Sequence, residues 1–173
     1  MITIEKVLPS DAEELLKIYG PYVEDTAISF EYTIPTLEDF TNRIETISKK
    51  YPYLKAVNEA GEIIGYTYAG VFKGRAAYDR SVETTIYIRN DQKRTGVGRA
   101  LYAALERELD KLGIRNLYAC IAYIEIEDEH LTNDSMRFHE KMGYSLVGTF
   151  HKCGYKFNKY YDMIWMEKFL RED

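Results

Sequence analysis

The segment from residue 82 to residue 124 constrains the fold more strongly than any other part of the sequence. Residues 82–88 (VETTIYI) and 116–124 (NLYACIAYI) are rich in β-branched and aromatic side chains, which predicts two strands. Between them, residues 97–112 contain the helix-like run LYAALERELDKL. Two strands joined through a helix lie parallel in one sheet, with a right-handed crossover. We therefore expect a sheet that is at least partly parallel.

The patterns on either side of this crossover predict further strands and helices. Before it we expect a strand at 3–9, helices at 11–25 and 37–50, and paired strands at 53–59 and 62–72. After it we expect a helix at 133–142 and strands at 144–154 and 160–170. This order predicts an α/β fold in which helices flank one mixed sheet, within a single domain covering residues 1–173.

Local signals predict where several helices begin and end. Ser10, with Glu13 three residues later, has the spacing of a capping box for the first helix. Gly20-Pro21 should disturb or end that helix, because proline lacks a backbone donor. Thr36 is expected to cap the second helix, and Gly143 to terminate the helix at 133–142.

Composition and charge limit the classes of function. The formal net charge of −5 disfavours a general nucleic-acid binder, because such proteins usually present a basic face. The sequence starts without a basic and apolar leader, and no apolar run approaches the length of a membrane span. We therefore expect a cytoplasmic protein that contacts neither nucleic acid nor membrane.

The cysteines and two of the histidines indicate no metal site. Cys120 and Cys153 belong to no CxxC or Cys/His spacing, and we expect two buried free thiols. His130 and His151 show no partner spacing either, and we expect them as ordinary loop and strand residues. We therefore expect no metal.

A basic, glycine-containing loop (QKRTGVGRA) stands between the strand at 82–88 and the helix that follows. A helix N-terminus has unpaired backbone N–H groups and a partial positive charge, so it can bind an anion. Gly96 and Gly98 would let a phosphate approach the backbone, and Lys93, Arg94 and Arg99 could neutralise charge at the rim. The loop therefore predicts a phosphate-binding helix entrance, with a simple glycine-rich turn as the alternative.

Two common phosphate motifs are absent. The loop lacks the GxxxxGK[ST] pattern of a P-loop. It also lacks the third glycine of a dinucleotide fingerprint, because Leu101 occupies that position.

The loop resembles the pyrophosphate loop of the GNAT superfamily of acetyl-CoA-dependent N-acetyltransferases, [Q/R]-x-x-G-x-[G/A]. Here residues 93–98 read KRTGVG, and Lys93 replaces the usual Gln or Arg while keeping a donor side chain. The resemblance implies a GNAT-type three-layer fold, with a central mixed, mostly antiparallel sheet flanked by helices. It also implies acetyl-CoA as co-substrate, without a metal.

The sequence is similar to the phosphinothricin N-acetyltransferase branch from about residue 2 to residue 168. The segments that carry this similarity include IIGYTYAG, KGRAAYDRSVETTIYI, RFHEKMGY and GTFHKCGYKFNKYYDMIWMEK. Two features depart from the branch. Arg80-Ser81 replaces Trp-Thr, and the acidic segment 124–134 is longer than the usual Pro-Asn-Asp-Pro loop. Both put the identity of the amine in doubt more than the reaction.

Glu83 and His139 are the candidate catalytic residues. A carboxylate near the acyl group can remove the proton of an attacking ammonium group, and the resemblance places the catalytic glutamate at Glu83. An exposed strand glutamate is the alternative on the residues alone. His139 occupies the position where many GNAT enzymes have a tyrosine, and an imidazole there could act as acid or base.

The resemblance also implies residues that bind the two substrates. Acetyl-CoA should contact Thr85, Ile86, Tyr87 and Ile88 along the strand and Lys93, Arg94, Thr95, Gly96, Val97, Gly98 and Arg99 in the loop. Asn133 and Ser135 should hold the pantetheine arm or cap a helix. The acidic group of the amine substrate should contact Arg75 and Tyr78, and Phe30 should form an apolar wall.

We therefore expect direct acetyl transfer to the primary amine of a small amino-acid-like substrate, of the phosphinothricin or methionine sulfoximine type. Acetylation of another small amine or of a protein N-terminus, and acyl-CoA binding without catalysis, remain alternatives. The branch implies a homodimer, with the tyrosine-rich segment 155–165 as a candidate interface.

Overall fold

The computed structural model describes residues 1–171, and its order of helices and strands confirms the predicted α/β fold. The strands are β1 (Thr3–Lys6), β2 (Tyr53–Val57), β3 (Ile63–Val71), β4 (Ser81–Ile88), β5 (Asn116–Tyr123), β6 (Ser145–Lys156) and β7 (Lys159–Phe169). The helices are α1 (Ala12–Glu24), α2 (Leu37–Ser48), α3 (Val97–Lys111) and α4 (Asp134–Lys141).

The seven strands form one sheet in the order β1-β2-β3-β4-β5-β7-β6. Among the strand pairs of residues 1–171, β4 and β5 are parallel and the others antiparallel, as the crossover predicts. β4 and β5 pair over a short stretch, where residues 81–83 of β4 lie beside residues 116–118 of β5. Beyond that point β4 stays on β3 up to Ile88, while β5 stays on β7 up to Tyr123. The two central strands therefore diverge, and a gap opens in the middle of the sheet.

Side chains alternate between the two faces of the sheet, and each face is covered by helices. On one face α3 buries Leu101, Leu105 and Leu109 in a cluster with strand residues that include Val82 and Leu117. On the other face, residues of α1 and α2 pack on Tyr53 and Tyr66; they include Leu15, Val23, Phe40 and Ile44. This gives the three layers of helix, sheet and helix.

Two of the predicted helix signals are wrong. α1 begins at Ala12 and its N-cap is Asp11, so Ser10 does not cap it. The Asp11 carboxylate instead accepts a hydrogen bond from the Leu8 N–H at 2.7 Å. Pro21 does not end α1, which continues to Glu24. The last turn persists because Tyr22 and Val23 are buried against the sheet, and this packing offsets the hydrogen bond that Pro21 cannot donate.

Other local predictions are confirmed. The Thr36 side chain accepts a hydrogen bond from the Asp39 N–H at 3.1 Å and so caps α2. Gly143 follows α4 with a φ of 93°, a left-handed conformation that suits glycine. None of the helices within residues 1–171 combines the length and apolar character needed to cross a bilayer.

Cys120 and Cys153 are free, as predicted, but exposed rather than buried. On β5, Ala119 and Ile121 fill the core below α3, so Cys120 between them lies on the opposite face. The expectation of burial was wrong because it treated free cysteine as a core residue without regard to strand alternation.

Candidate active site

A cleft of about 440 Å³ occupies the gap where β4 and β5 diverge. Residues 28–31, in the connection between α1 and α2, form one wall. The facing strands contribute residues 83–87 and 119–122, and Tyr102, Ser135 and His139 line the side that belongs to α3 and α4. The cleft therefore brings together Phe30, Glu83 and His139, which lie far apart in the sequence.

Glu83 is the free carboxylate of this cleft. Its side chain is half-buried, and no hydrogen bond or ion pair with another residue of 1–171 engages it. Burial raises its pKa above the ordinary glutamate value, and the nearby positive charge of Lys73 opposes that shift. A carboxylate with a raised pKa and no protein partner can accept a proton from a bound ammonium group.

Glu31, the other carboxylate in the cleft lining, is already engaged. It forms an ion pair with Arg43 at 2.7 Å and accepts a hydrogen bond from the Tyr19 hydroxyl. The guanidinium of Arg43 lowers the pKa of Glu31, although burial opposes this. Glu31 is therefore a structural anion, and Glu83 is the candidate base.

His139 is buried and held in one tautomer. Its Nδ1 lies 2.7 Å from the Ser135 carbonyl oxygen, which can only accept, so Nδ1 carries the proton. Nε2 therefore accepts a hydrogen bond from the Tyr102 hydroxyl at 2.7 Å. Burial lowers the pKa of His139 to about 4, although the bond to Ser135 opposes this. At neutral pH His139 is an uncharged acceptor that orients Tyr102, and it has no spare proton for a leaving group.

Burial of this neutral imidazole predicts acid sensitivity of the fold. The pKa of His139 is lower in the folded state than the ordinary 6.5, so the unfolded chain binds more protons between these values. The stabilisation is present above pH 6.5 and is lost as the pH falls toward 4, at a cost on the order of 3 kcal/mol. Urea unfolding of the wild type and of His139→Gln between pH 6.5 and pH 4 measures this effect. The free energy of unfolding should fall less steeply with pH in the variant. An equal fall in both proteins would contradict a buried, neutral His139.

Tyr102 was not predicted from the sequence. It lies in α3 among apolar residues at helical spacing, where a buried aromatic is expected in the core. Its pKa is raised well above the ordinary tyrosine value by burial, so the phenol stays protonated. With its hydroxyl on His139 and its side chain in the cleft lining, Tyr102 is the candidate proton donor.

The glycine loop starts α3 in the manner expected of an anion site. Gly96 is the N-cap, with a φ of 91°, and the Ala100 N–H makes the first helical bond, to the Gly96 carbonyl oxygen at 3.1 Å. The amides of Val97, Gly98 and Arg99 therefore have no acceptor within the helix. No atom lies within 4 Å of the position that a Cβ on Gly96 would take, so the backbone is open at this point.

Gly98 has a packing role that the sequence did not indicate. A Cβ there would lie 3.0 Å from the Phe138 ring of α4. The absence of a side chain at Gly98 therefore lets α3 and α4 approach closely, whereas Gly96 provides the turn.

The three basic residues near the loop lie at the surface. Arg94 is 84% exposed and forms an ion pair with Asp134 at 3.2 Å, while Lys93 Nζ lies 5.0 Å from the centre of the Tyr22 ring. Arg99 is exposed on the first turn of α3. Together with the free amides and the gap between β4 and β5, they fit a ligand with a diphosphate at one end and an extended arm.

The strand residues predicted to contact that arm lie along the gap. Thr85, Ile86 and Tyr87 line the cleft, and Ile88 ends β4, where its side chain faces Gly65. Because β5 has diverged after Glu83, residues 85–88 of β4 pair with β3 on one edge and with no strand on the edge that faces β5.

Asn133 and the acidic segment have structural partners. The Asn133 side chain donates to the Ile124 carbonyl oxygen at 2.7 Å and accepts from the Ile124 N–H at 3.3 Å, which closes the loop before α4. It makes no side-chain cap bond to α4. Glu127 accepts hydrogen bonds from the Asn133 N–H and Arg137, and Asp128 pairs with Lys159 at 2.9 Å. These carboxylates stabilise the loop itself.

The predicted amine-binding residues are only partly brought together. Phe30 lines the cleft, but Arg75 and Tyr78 are exposed in the connection from β3 to β4, outside the cleft lining. Tyr78 packs edge-on against Phe72, with the two ring centroids 6.0 Å apart. The positive charge that acts on Glu83 comes from Lys73 instead.

A second cavity, of about 360 Å³, lies between α2 and the sheet. Its charged side chains, Asp39 and Arg43, are paired at 3.0 Å. Without a free acid or base it is the weaker candidate for chemistry.

The sequence pattern of the acetyltransferase (GNAT) domain matches residues 4–165. The chain belongs to the GNAT acetyltransferase family. It is 31% identical over 170 residues to the phosphinothricin N-acetyltransferase of Streptomyces viridochromogenes, covering 97% of this chain and 88% of that protein. It is 27% identical over 159 residues to the L-methionine sulfoximine/L-methionine sulfone acetyltransferase of Pseudomonas aeruginosa, covering 91% and 88% of the two chains.

Solved structures share this GNAT fold. The crystal structure of a phosphinothricin acetyltransferase from Sinorhizobium meliloti in complex with acetyl-CoA superposes with a TM-score of 0.88. The two sequences are 29% identical, and the match covers 97% of this chain and 88% of that one. The family and the fold confirm that this GNAT protein is an acetyltransferase that uses acetyl-CoA.

Proposed function

We propose that this GNAT protein transfers acetyl from acetyl-CoA to the primary amine of a small amino-acid-like substrate, of the phosphinothricin or methionine sulfoximine type. The observation that carries the proposal is the unpaired carboxylate of Glu83, held in the gap between β4 and β5. The substrates named for the S. viridochromogenes and P. aeruginosa relatives support this class of amine.

The two ends of acetyl-CoA have separate binding regions in this proposal. The diphosphate lies on the free amides of Val97, Gly98 and Arg99, and the side chains of Lys93, Arg94 and Arg99 neutralise its charge. Gly96 shapes the turn beneath it, and so does Thr95, whose hydroxyl donates to the Gln92 carbonyl oxygen at 2.7 Å. The pantetheine arm follows β4 from Ile88 to Thr85 and uses the backbone left unpaired by β5, while Ser135 lines the opposite side.

The reaction divides between two side chains and the backbone. Glu83 takes the proton of the bound ammonium, and the amine nitrogen then forms a bond to the acetyl carbon as the carbon–sulfur bond breaks. A β4 amide at residue 86 or 87 stabilises the negative charge on the acetyl oxygen. The Tyr102 hydroxyl turns from His139 to the leaving sulfur and supplies its proton. The second proton, which the nitrogen loses as the amide forms, restores the Tyr102 hydroxyl, and Glu83 returns its proton to water. Holding both substrates in one cleft provides much of the rate.

Transfer is direct, without an acyl-enzyme, in this account. Cys120 is the thiol in the cleft lining, and it lies close enough to Glu83 for the charge of that carboxylate to act on it. Desolvation by the cleft walls and, to a lesser extent, the charge of Glu83 raise the pKa of its thiol to about 12. A thiol that stays protonated is a poor nucleophile, so Cys120 is a wall residue.

We also propose a cytoplasmic homodimer in which each chain acts as one acetyltransferase domain. β6 is an edge strand of the sheet, and its apolar side chains at Leu146, Val147 and Phe150 are exposed. Tyr155 and Tyr160, in the segment with the predicted interface, are exposed as well. A second copy would cover this edge and remove it from water.

Thiol release from acetyl-CoA, measured across a panel of amines, tests the proposed reaction. Phosphinothricin, methionine sulfoximine and methionine sulfone should give turnover well above the rate without amine. Polyamines and a peptide with a free N-terminus should give less. Binding of acetyl-CoA without thiol release on any amine would show a non-catalytic module instead.

A further inference from the structure

Three consecutive residues at the end of β6 hold the wall of the cleft that carries Phe30. We call Gly154, Tyr155 and Lys156 the loop seat. Gly154 and Lys156 are buried and Tyr155 is exposed, so the first and third face the connection between α1 and α2. That connection contributes residues 28–31 to the cleft.

Lys156 fastens the connection through three backbone carbonyls. Its side chain is only 6% exposed, and Nζ donates to the carbonyl oxygens of Val23 at 2.6 Å, Thr26 at 2.7 Å and Ser29 at 2.8 Å. A lysine ammonium has three donors, and all three are used. The bonds join the C-terminal turn of α1 to the residue before Phe30, so the path of the connection is fixed on both sides of its bend.

Gly154 provides the surface on which Phe30 rests. A Cβ at Gly154 would lie 2.4 Å from Cε2 and 2.5 Å from Cζ of the Phe30 ring, closer than two non-bonded carbon atoms can approach. The ring therefore occupies the space that any other residue at position 154 would fill. Just beyond Phe30, the Tyr32 hydroxyl donates to the Tyr155 carbonyl oxygen and completes the attachment.

These contacts lie outside the reacting groups and hold one wall of the cleft. We propose that Gly154 is a specificity-determining residue and Lys156 a positioning residue, because together they set how far Phe30 stands from Glu83. The proposal rests on the proposed acetyl transfer and on the expectation that Phe30 forms an apolar wall of the amine site. It predicts that changes in the loop seat alter amine selection and leave the acetyl-CoA site intact.

Gly154→Ala is the sharpest test, because β6 offers a matched control. The added methyl group should push Phe30 off the strand and raise KM for the preferred amine by about tenfold, with KM for acetyl-CoA unchanged. Gly148→Ala makes the same substitution on the same strand, where no atom lies within 4 Å of the new Cβ. That control should keep both KM values. Equal effects of the two substitutions would overturn the proposal.

A double-variant cycle shows whether the effect passes through Phe30. In a Phe30→Ala background the clash is gone, so adding Gly154→Ala should change KM for the amine by less than about twofold. An undiminished effect would mean that Gly154 acts by another route. The double variant also provides a folded protein for the comparison if Gly154→Ala alone folds poorly.

Lys156→Met tests the positioning role without turnover. The substitution keeps an apolar side chain of similar length but removes the three donors. Hydrogen exchange should accelerate at the Ala27, Ile28 and Glu31 amides, which are hydrogen-bonded within or beside the connection. Unchanged exchange there would contradict the role of Lys156. Hydrogen exchange of Lys156→Met and a crystal structure of Gly154→Ala do not depend on acetylation. They therefore test the loop seat even if the proposed reaction is wrong.

Discussion

Replacing Glu83 with Gln should lower kcat/KM for the amine by roughly 10³-fold, because the amide cannot take the proton of the ammonium group. The substitution keeps the size of the side chain. The Glu83 side chain is half-buried and makes no hydrogen bond or ion pair with another residue of 1–171, so removing its charge should not disturb the fold. Initial rates with saturating acetyl-CoA, combined with a binding measurement for acetyl-CoA, check the expectation. Affinity for acetyl-CoA should be unchanged.

The pH profile gives the same prediction a second readout. The base works only when it is deprotonated, so wild-type kcat/KM should fall as the pH drops through the pKa of Glu83. That pKa is raised by burial, so the fall should begin above the range of an ordinary glutamate. His139, with a pKa of about 4, should contribute no inflection near pH 6.5. The Glu83→Gln profile should lack the acid limb, and a limb that persists would assign it to another group.

Replacing Tyr102 with Phe should lower kcat by about 10²-fold, because the leaving sulfur loses its proton donor. KM for both substrates should change little, since the ring and its packing remain. Tyr161→Phe is the matched control. Tyr161 is also buried and its hydroxyl donates a hydrogen bond to Asp128 Oδ2 at 3.2 Å, but Tyr161 lies outside the cleft lining.

The comparison separates chemistry from stability. Each substitution removes one hydrogen bond from a buried tyrosine, worth about 1 kcal/mol of folding free energy, and both variants should lose a similar amount. Only Tyr102→Phe should slow turnover. If the two variants had equal kcat values, water would be the proton donor and Tyr102 a core residue.

Much of the fold was predictable because its signals are local. The β-branched run at 82–88, the glycines that follow and the cap at Thr36 each depend on a few neighbouring residues. The prediction failed at Pro21, where burial of Tyr22 and Val23 outweighs the missing donor. It also failed at Cys120, whose exposure follows from strand alternation, because Ala119 and Ile121 on either side of it face the core.

The candidate site was predictable only where a residue type is unusual in its element. Glu83 stands out in a strand of Val, Thr and Ile, and the structure places it in the cleft. Tyr102 and Lys156 gave no such signal, because a tyrosine in an apolar helix face and a lysine near a chain end are both common. Their partners, His139 and the carbonyls before Phe30, are 37 or more residues away along the chain. Such contacts follow from tertiary packing.

The path of the connections was equally hidden in the sequence. Arg75 and Tyr78 were expected at the amine, yet the turn at Ala76–Tyr78 leaves both exposed. The acidic segment 124–134 put the identity of the amine in doubt, but Glu127 and Asp128 bind groups within the loop and at Lys159. Charge along a sequence does not show which charges are already neutralised in the fold.

Mass spectrometry of the amine product tests acetyl transfer most directly. Phosphinothricin or methionine sulfone, incubated with acetyl-CoA and the wild-type protein, should gain one acetyl group on the primary amine, with one CoA thiol released per product. Glu83→Gln at the same concentration should form almost none. Thiol release without an acetylated amine, or equal product from both proteins, would contradict base-assisted N-acetylation in this cleft.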